Sequence, residues 1–191
     1  MNFSELVHRS RSFRRFNQSV RIPSELLVDL VSLARVSPSP SNLQGLKFWL
    51  VSNEEECEQV FNNVKFGGYF KDWSGPAEGE KPAAYILVLG DKEIKPTFEI
   101  DAGIAAQTML LGAAEAGFGG CMVKSFKPES LRELLELDQT MELVLVIALG
   151  KPAEKSVIED FDPEKGIEYY RDDVGVHHVP KRKLEDLILH F

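Results

Sequence analysis

Arg11-Ser12-Phe13-Arg14-Arg15-Phe16 and, about one helix later, Pro38-Ser39-Pro40-Ser41-Asn42-Leu43-Gln44 are the stretches on which the reading of this chain turns. The first gathers guanidinium groups in a chain whose formal net charge is −8. Guanidinium is the side chain best suited to bidentate contact with phosphate. The second is a polar turn of hydroxyls and amides between two apolar runs, and its prolines predict an extended path there. Such groups suit the hydrogen-bonding edges of a ring, so the pair fits a phosphorylated aromatic cofactor. A plainer reading of Arg9, Arg11, Arg14 and Arg15 is a solvated helix end. An RNA-contacting arm is disfavoured, because no basic stripe interleaved with aromatics accompanies them.

Working outward, residues 3–9 read as a short helix and 17–20 as a loop. Pro23-Ser24-Glu25 opens a helix with Leu26, Leu27, Leu30, Val31 and Ala34 at helical spacing. Residues 48–51 read as a buried strand and 54–61 as a helix. Residues 62–82 form a long irregular stretch, of a length usually tied to function or mobility. Its Tyr69, Phe70 and Trp73 are either a hydrophobic anchor or the stacking surface of a flap over a site. Residues 83–89, 119–123 and 142–149 read as strands, and 127–135 as a helix. Residues 97–116 predict the longest helix, apolar on nearly every side and therefore buried, in part against another subunit. Apolar strands alternating with helices predict an α/β or α+β sheet covered on both faces. Beyond residue 150 the chain is charged and only locally periodic, with Tyr169-Tyr170-Arg171 and Lys181-Arg182-Lys183 standing out. Its apolar end (Leu184, Leu187, Ile188, Leu189, Phe191) suggests docking.

Composition narrows the function classes. The chain has 191 residues, 43% hydrophobic and 27% charged, as expected of one soluble domain, residues 1–191, with a real core. No apolar run approaches the ~20 residues of a membrane span, and the N-terminus lacks a signal-peptide pattern, so a cytoplasmic protein is expected. The acidic balance argues against nucleic acid as the main partner. Cys57 and Cys121 lack metal-site spacing and read as packing residues. His177 and His178 are adjacent, so their rings point to opposite faces of an extended segment, and no metal site is expected. Asp172-Asp173 reads as a polar turn. There is no Walker loop, HExxH or GxSxG. Gly117-Phe118-Gly119-Gly120-Cys121-Met122 lacks the GxGxxG order and precedes a strand, which disfavours a Rossmann site.

The arginine-serine box, the Pro-Ser…Asn-x-Gln turn, the helix starting Asp101-Ala102-Gly103, Gly117 to Cys121 and the basic Lys181-Arg182 occur in one order over nearly the whole chain. In that order they resemble the flavin (FMN)-dependent nitroreductase family. The resemblance implies an α+β fold: a three-layer FMN-binding sandwich with a mixed central sheet covered by helices. It implies a homodimer with FMN at the interface, and residues 150–191 as an extension embracing the partner. It further implies ping-pong hydride transfer from NAD(P)H through the flavin to a small-molecule acceptor such as a nitroaromatic or quinone. No side chain is then required as catalyst.

Carried over by position, Arg11 and Ser12 match residues near the flavin phosphate, and Arg14 matches a cation at the pyrimidine edge. Pro38, Ser39, Ser41, Asn42 and Gln44 match the turn reaching the cofactor from the partner subunit. Met122, Val123 and Lys124 match the backbone along the ring, and Lys181 and Arg182 the C-terminal phosphate cations. Two positions depart: Ser10 replaces a basic residue, and Lys124 stands where members carry glutamate. Tyr69, Phe70 and Trp73 are the candidates for substrate stacking. On that reading Trp73→Ala changes acceptor kinetics and spares FMN affinity. A flavin-sequestering module without turnover is the alternative from another class.

Overall fold

The computed structural model describes residues 1–190, so Phe191, counted above with the apolar C-terminal end, lies outside it. The fold is built around β3 (Ala84–Asp91), all eight residues of which are buried. It pairs antiparallel with β2 (Leu46–Val51) on one side and with β5 (Met141–Pro152) on the other. β5 in turn carries β4 (Gly119–Val123) and β1 (Phe16–Asn17), both antiparallel. A strand can be apolar throughout only where both faces of its sheet are covered, and both are. On one face α2 (Ser24–Arg35) and α4 (Glu99–Glu115) pack on Ile86, Val88, Ile147 and Leu149. On the other, α3 (Glu54–Phe61) and α5 (Pro128–Leu134) pack on Tyr85, Leu87, Val146 and Ala148. The result is the three-layer α+β sandwich expected.

Local chemistry explains the element ends. α1 (Phe3–Arg9) begins at a reciprocal capping box between Asn2 and Glu5. Asn53 accepts from the backbone N–H of Glu55 and Glu56 to start α3. α2 and α4 meet where α4 carries Gly112; a Cβ there would lie 2.6 Å from the Leu33 side chain. Gly120 similarly brings β4 onto β5, since a Cβ would sit 2.2 Å from the Ala148 carbonyl oxygen. α4 is less enclosed than its composition predicts. Ala106, Met109 and Ala113 are fully buried, but Ile100 remains 67% exposed, because the sheet covers only one side of the helix.

Two segments differ from the sequence reading. Pro38 and Pro40 do not hold an extended path. Ser39 is extended, but Pro40–Asn42 forms a 3₁₀ turn, and Ser41, Asn42 and Gln44 all take φ of 53°. The other is the C-terminal stretch. It contains a second sheet in which β6 (Ser156–Asp160) lies parallel to β8 (His177–Lys181), and β7 (Tyr170–Arg171) pairs antiparallel with β8. These short, charged strands carry no long apolar run to announce them. The apolar residues after them, Leu184, Leu187 and Leu189, are exposed.

Within β8 the two histidines face opposite ways, as alternation requires. His177 is buried among Phe70 and Tyr169, and neither ring nitrogen has a hydrogen-bond partner among the described residues. Burial, reinforced by the charge of Arg14, lowers its pKa to about 4. His178 stacks on Tyr170 and bridges Asp172 and Glu159. Hydrogen bonds donated to those carboxylates, Asp172 first, raise its pKa. The signs oppose. Below about pH 6.5 the unfolded chain protonates position 177 and the native state does not, so stability falls as pH drops toward 4, by roughly 3 kcal/mol. The contribution of His178 is complete below its unfolded pKa and is lost as pH rises through its raised native value. His177→Phe is expected to flatten the acid side of a Tm–pH curve, and His178→Gln the alkaline side.

Candidate active site

The arginine-serine box runs along the outer edge of β4. Ser12 forms a parallel bridge with Gly120, and the Phe13 N–H donates to the Gly120 carbonyl at 3.0 Å. β4 has β5 on its inner side, so beyond that bridge its backbone edge is open to a cleft. The cleft, about 150 Å³, is lined by Arg14, Lys65 to Gly68, Cys121 to Ser125 and Tyr169. It therefore brings together four residues singled out from sequence: Arg14, Met122, Val123 and Lys124. Three of its lining residues are cations, and none of the described residues lining it is a carboxylate. In a chain of net charge −8 that is a local inversion of sign, and it favours an anionic or electron-accepting ligand.

The cations are not equivalent. The Arg14 guanidinium lies over the Tyr169 ring, 4.5 Å from its centroid. Lys124 donates from Nζ to the Val144 carbonyl at 2.6 Å, which ties its amine to the sheet. Arg11 turns away, donating to the Val7 carbonyl at the end of α1. Its Nε is buried and unpartnered among the described residues, and burial lowers its pKa. Ser12 is exposed beside it. Lys181 and Arg182, at the end of β8, are exposed; the Arg182 guanidinium lies 5.0 Å from the Phe161 ring centroid. Neither is among the residues lining the cleft. The Cys121 thiol reaches the cleft wall, but burial pushes its pKa up to about 12, so it is a packing group at neutral pH.

The polar turn lies elsewhere. Pro38, Ser39 and Gln44 border a separate cavity of about 260 Å³ between α2, β2 and α4, while Ser41 and Asn42 are exposed at the tip. One chain therefore does not bring the turn and the cleft together. The turn is held from below by a network that sequence reading missed. Lys95 and Asp101 form a buried ion pair at 2.5 Å. Asp101 also accepts from the Ser39 hydroxyl at 2.6 Å, and that hydroxyl accepts from the Gln44 N–H at 3.0 Å. Burial alone would raise the Asp101 pKa; the hydrogen bonds from Lys95 and Ser39 outweigh it and lower the value. Three non-glycine residues at positive φ cost about 1–3 kcal/mol each, and such strain persists only where the surroundings impose it. Here Ser39, held by Asp101, accepts from the Gln44 N–H and so ties the end of the turn to the buried pair.

The irregular loop is pinned. Phe70 and Trp73 meet edge to face, and the Arg171 guanidinium lies over both rings, 4.3 and 4.4 Å from their centroids. Those two rings are thus committed to Arg171, whereas Tyr69 is 46% exposed and meets Tyr169. Trp73→Ala is accordingly expected to lower stability as well as any acceptor kinetics. Behind the cleft, and sharing Lys65 to Gly68 and Ser125 with it, lies a cavity of about 560 Å³ that also touches Lys71, Trp73 and Ser74.

Comparison with known proteins bears on the family and the fold. The family model described as Nitroreductase family matches residues 7–151. A protein of Methanothermobacter thermautotrophicus named "Putative NADH dehydrogenase/NAD(P)H nitroreductase" is 29% identical over 173 residues, covering 86% of this chain and 85% of that protein. Among solved structures, an FMN-dependent nitroreductase from Clostridium difficile R20291 superposes with a TM-score of 0.65 at 22% identity, covering 84% of this chain and 92% of that one. A nitroreductase family protein from Streptococcus pneumoniae TIGR4 gives 0.67 at 17% identity, with 86% and 97% covered. At these identities the structural likeness speaks to fold alone.

Asp101→Ala would leave Lys95 buried without its counter-charge. A loss of about 3–5 kcal/mol is expected in chemical denaturation, whereas Lys95→Met combined with Asp101→Leu should cost far less.

Proposed function

The chain belongs to the nitroreductase family, and from that premise we propose that it is an FMN-dependent oxidoreductase that takes hydride from NAD(P)H and passes it to a small conjugated acceptor, a nitroaromatic or quinone. The observation that carries this reading is the Arg14 guanidinium in a carboxylate-free cleft beside the open edge of β4. The donor set fits FMN. Arg14 offers a full positive charge toward the pyrimidine edge, and Met122, Val123 and Lys124 offer backbone groups along a ring. Arg11 has a buried N–H without an acceptor among the described residues, suited with Ser12, Lys181 and Arg182 to a phosphate. When bound, FMN supplies reversible hydride transfer, and the protein supplies orientation and electrostatics.

What the residues contribute follows from charge. Arg14 is the fixed cation that favours electron gain by a ligand at the cleft. No carboxylate among the described residues lining the cleft offsets it. The strained turn, carrying Pro38, Ser39, Ser41, Asn42 and Gln44, belongs in this reading to a second copy of the chain, since it lines a different cavity within its own. Ser39 already uses its hydroxyl proton on Asp101, so it would contact a cofactor as an acceptor. The homodimer is thus part of the proposal, with the exposed Ile100 face of α4 and the apolar residues near 184–189 available to it. Residues 1–191 act in this reading as one unit, and among the described residues the stretch after residue 150 packs on the chain's own loop through Tyr169 and Arg171.

The test is the visible spectrum of the purified protein, followed by anaerobic addition of NADH and then NADPH. A bound flavin that bleaches on mixing is expected. A flavin that stays oxidised would replace the enzyme by a flavin-binding module, and no flavin after incubation with FMN would overturn the site. In the same assay Arg14→Gln is expected to slow bleaching roughly 10- to 100-fold, the range for losing one charge-assisted contact.

A further inference from the structure

Arg14 is held at both ends by residues that flank the C-terminal strands: Glu154, in the bend between β5 and β6, and Tyr169, just before β7. The Arg14 backbone N–H, with that of Arg15, donates to Glu154 Oε1 at 2.5 and 3.1 Å. The other carboxylate oxygen accepts from Arg171 Nη2 at 2.8 Å and Nε at 3.2 Å. The Glu154 side chain is 1% exposed, so one buried carboxylate takes four donors from two distant segments. Arg171 itself lies against the edge-to-face pair of Phe70 and Trp73, 4.3 and 4.4 Å from their ring centroids. Along an extended run, residues two apart project to the same side. Tyr169 therefore faces the way Arg171 does, and its ring lies under the Arg14 guanidinium. Tyr170 goes to the opposite side, onto His178.

We propose that Glu154, Arg171 and Tyr169 are positioning residues for Arg14: the carboxylate fixes its main chain, and the tyrosine face fixes its guanidinium without neutralising it. The inference rests on the flavin reading for its consequence, though not for its geometry. A carboxylate under Arg14 would hold it as firmly but would cancel the charge that the cleft needs. An aromatic face attracts the cation through its quadrupole and leaves the net charge intact. Apart from a long contact to the Ser12 carbonyl at 3.5 Å, the guanidinium makes no hydrogen bond among the described residues, so its direction depends on the ring. Glu154 is consistent with that division of labour, since both of its oxygens are occupied and neither meets the Arg14 side chain. Around the cluster, the titratable neighbour on β8 is His177, whose low pKa keeps it neutral near pH 7 and adds no competing charge. Arg15 pairs with Glu80, and its guanidinium lies 5.9 Å from the Trp73 ring centroid, so it borders the Arg171 side of the cluster and not the Arg14 guanidinium.

Tyr169→Phe and Tyr169→Leu separate the π-face from bulk, and position 169 is only half-buried and so tolerates either change. Three readouts are needed. In the protein without FMN, the Arg14 Nε–H proton, assigned by comparison with Arg14→Lys, is expected upfield from the ring current in wild type and Tyr169→Phe, and at an ordinary shift in Tyr169→Leu. With FMN, Tyr169→Leu is expected to weaken affinity for reduced FMN about fivefold while changing oxidised FMN less than twofold, from the size of a cation–π contact. The midpoint potential falls accordingly, whereas Tyr169→Phe keeps wild-type values. Tm is measured alongside. An unshifted Arg14 signal in wild type overturns the positioning role. So does equal weakening of both FMN redox forms, or a Tm loss shared by Phe and Leu with no change in potential. If wild type binds no FMN, the proposed function falls, while the ring-current shift still decides whether the clasp holds Arg14.

Discussion

One buried carboxylate joins three parts of the molecule that are far apart in sequence. Glu154 takes the main-chain N–H groups of Arg14 and Arg15 on one oxygen and the Arg171 guanidinium on the other. Such a group is costly to bury unless every lone pair is used, and here the donors are all charged or main-chain groups. Through Arg171 the same carboxylate reaches Phe70 and Trp73, and so pins the irregular loop. The arginine box, that loop and the C-terminal sheet are thereby parts of one wall, and the cleft beside β4 exists because they meet there.

A second buried charge does comparable work on the other side of the sheet. The Lys95–Asp101 pair sits under the polar turn and holds Ser39, which in turn holds Gln44. Three residues in the left-handed region would not persist in a free loop. The two ionic centres have opposite surroundings, one at the cleft and one at the α2–α4 cavity, and each anchors one half of the residue set read as a cofactor site. The separation of those halves within a chain is what makes a second copy part of the functional proposal.

The cleft's electrostatics follow from placement rather than composition. The chain carries 30 acidic and 22 basic side chains, yet the described residues lining the cleft include cations only among the charged types. Lys124 is spent on the Val144 carbonyl, which leaves Arg14 and the exposed Lys65 as the cations presented to the cleft, and of these Arg14 is the one seated on a ring. The tyrosine ring beneath Arg14 is a support that brings no carboxylate to the cleft.

The amino-acid order by itself determined what depends on local pattern. The helix over Glu54–Phe61 and the strand over Gly119–Val123 match the bounds read from sequence, because caps, glycines and runs of apolar residues act over a few positions. The covered sheet followed from strands apolar on both faces, and the opposite facing of His177 and His178 from strand alternation. The ordered set of motifs pointed to the family. Tertiary structure alone decided the rest. Glu154 stands 140 residues from Arg14, with no local signal that they meet. The turn at residues 38–44 departs from the extended path its prolines suggest, because Asp101 on another helix reaches Ser39. The C-terminal strands are too short and charged to show a period, and they form because Arg171 and Tyr169 find partners on a distant loop and the arginine box. Contacts of that kind draw their energy from burial and exact partner geometry, which residue types in a row do not encode.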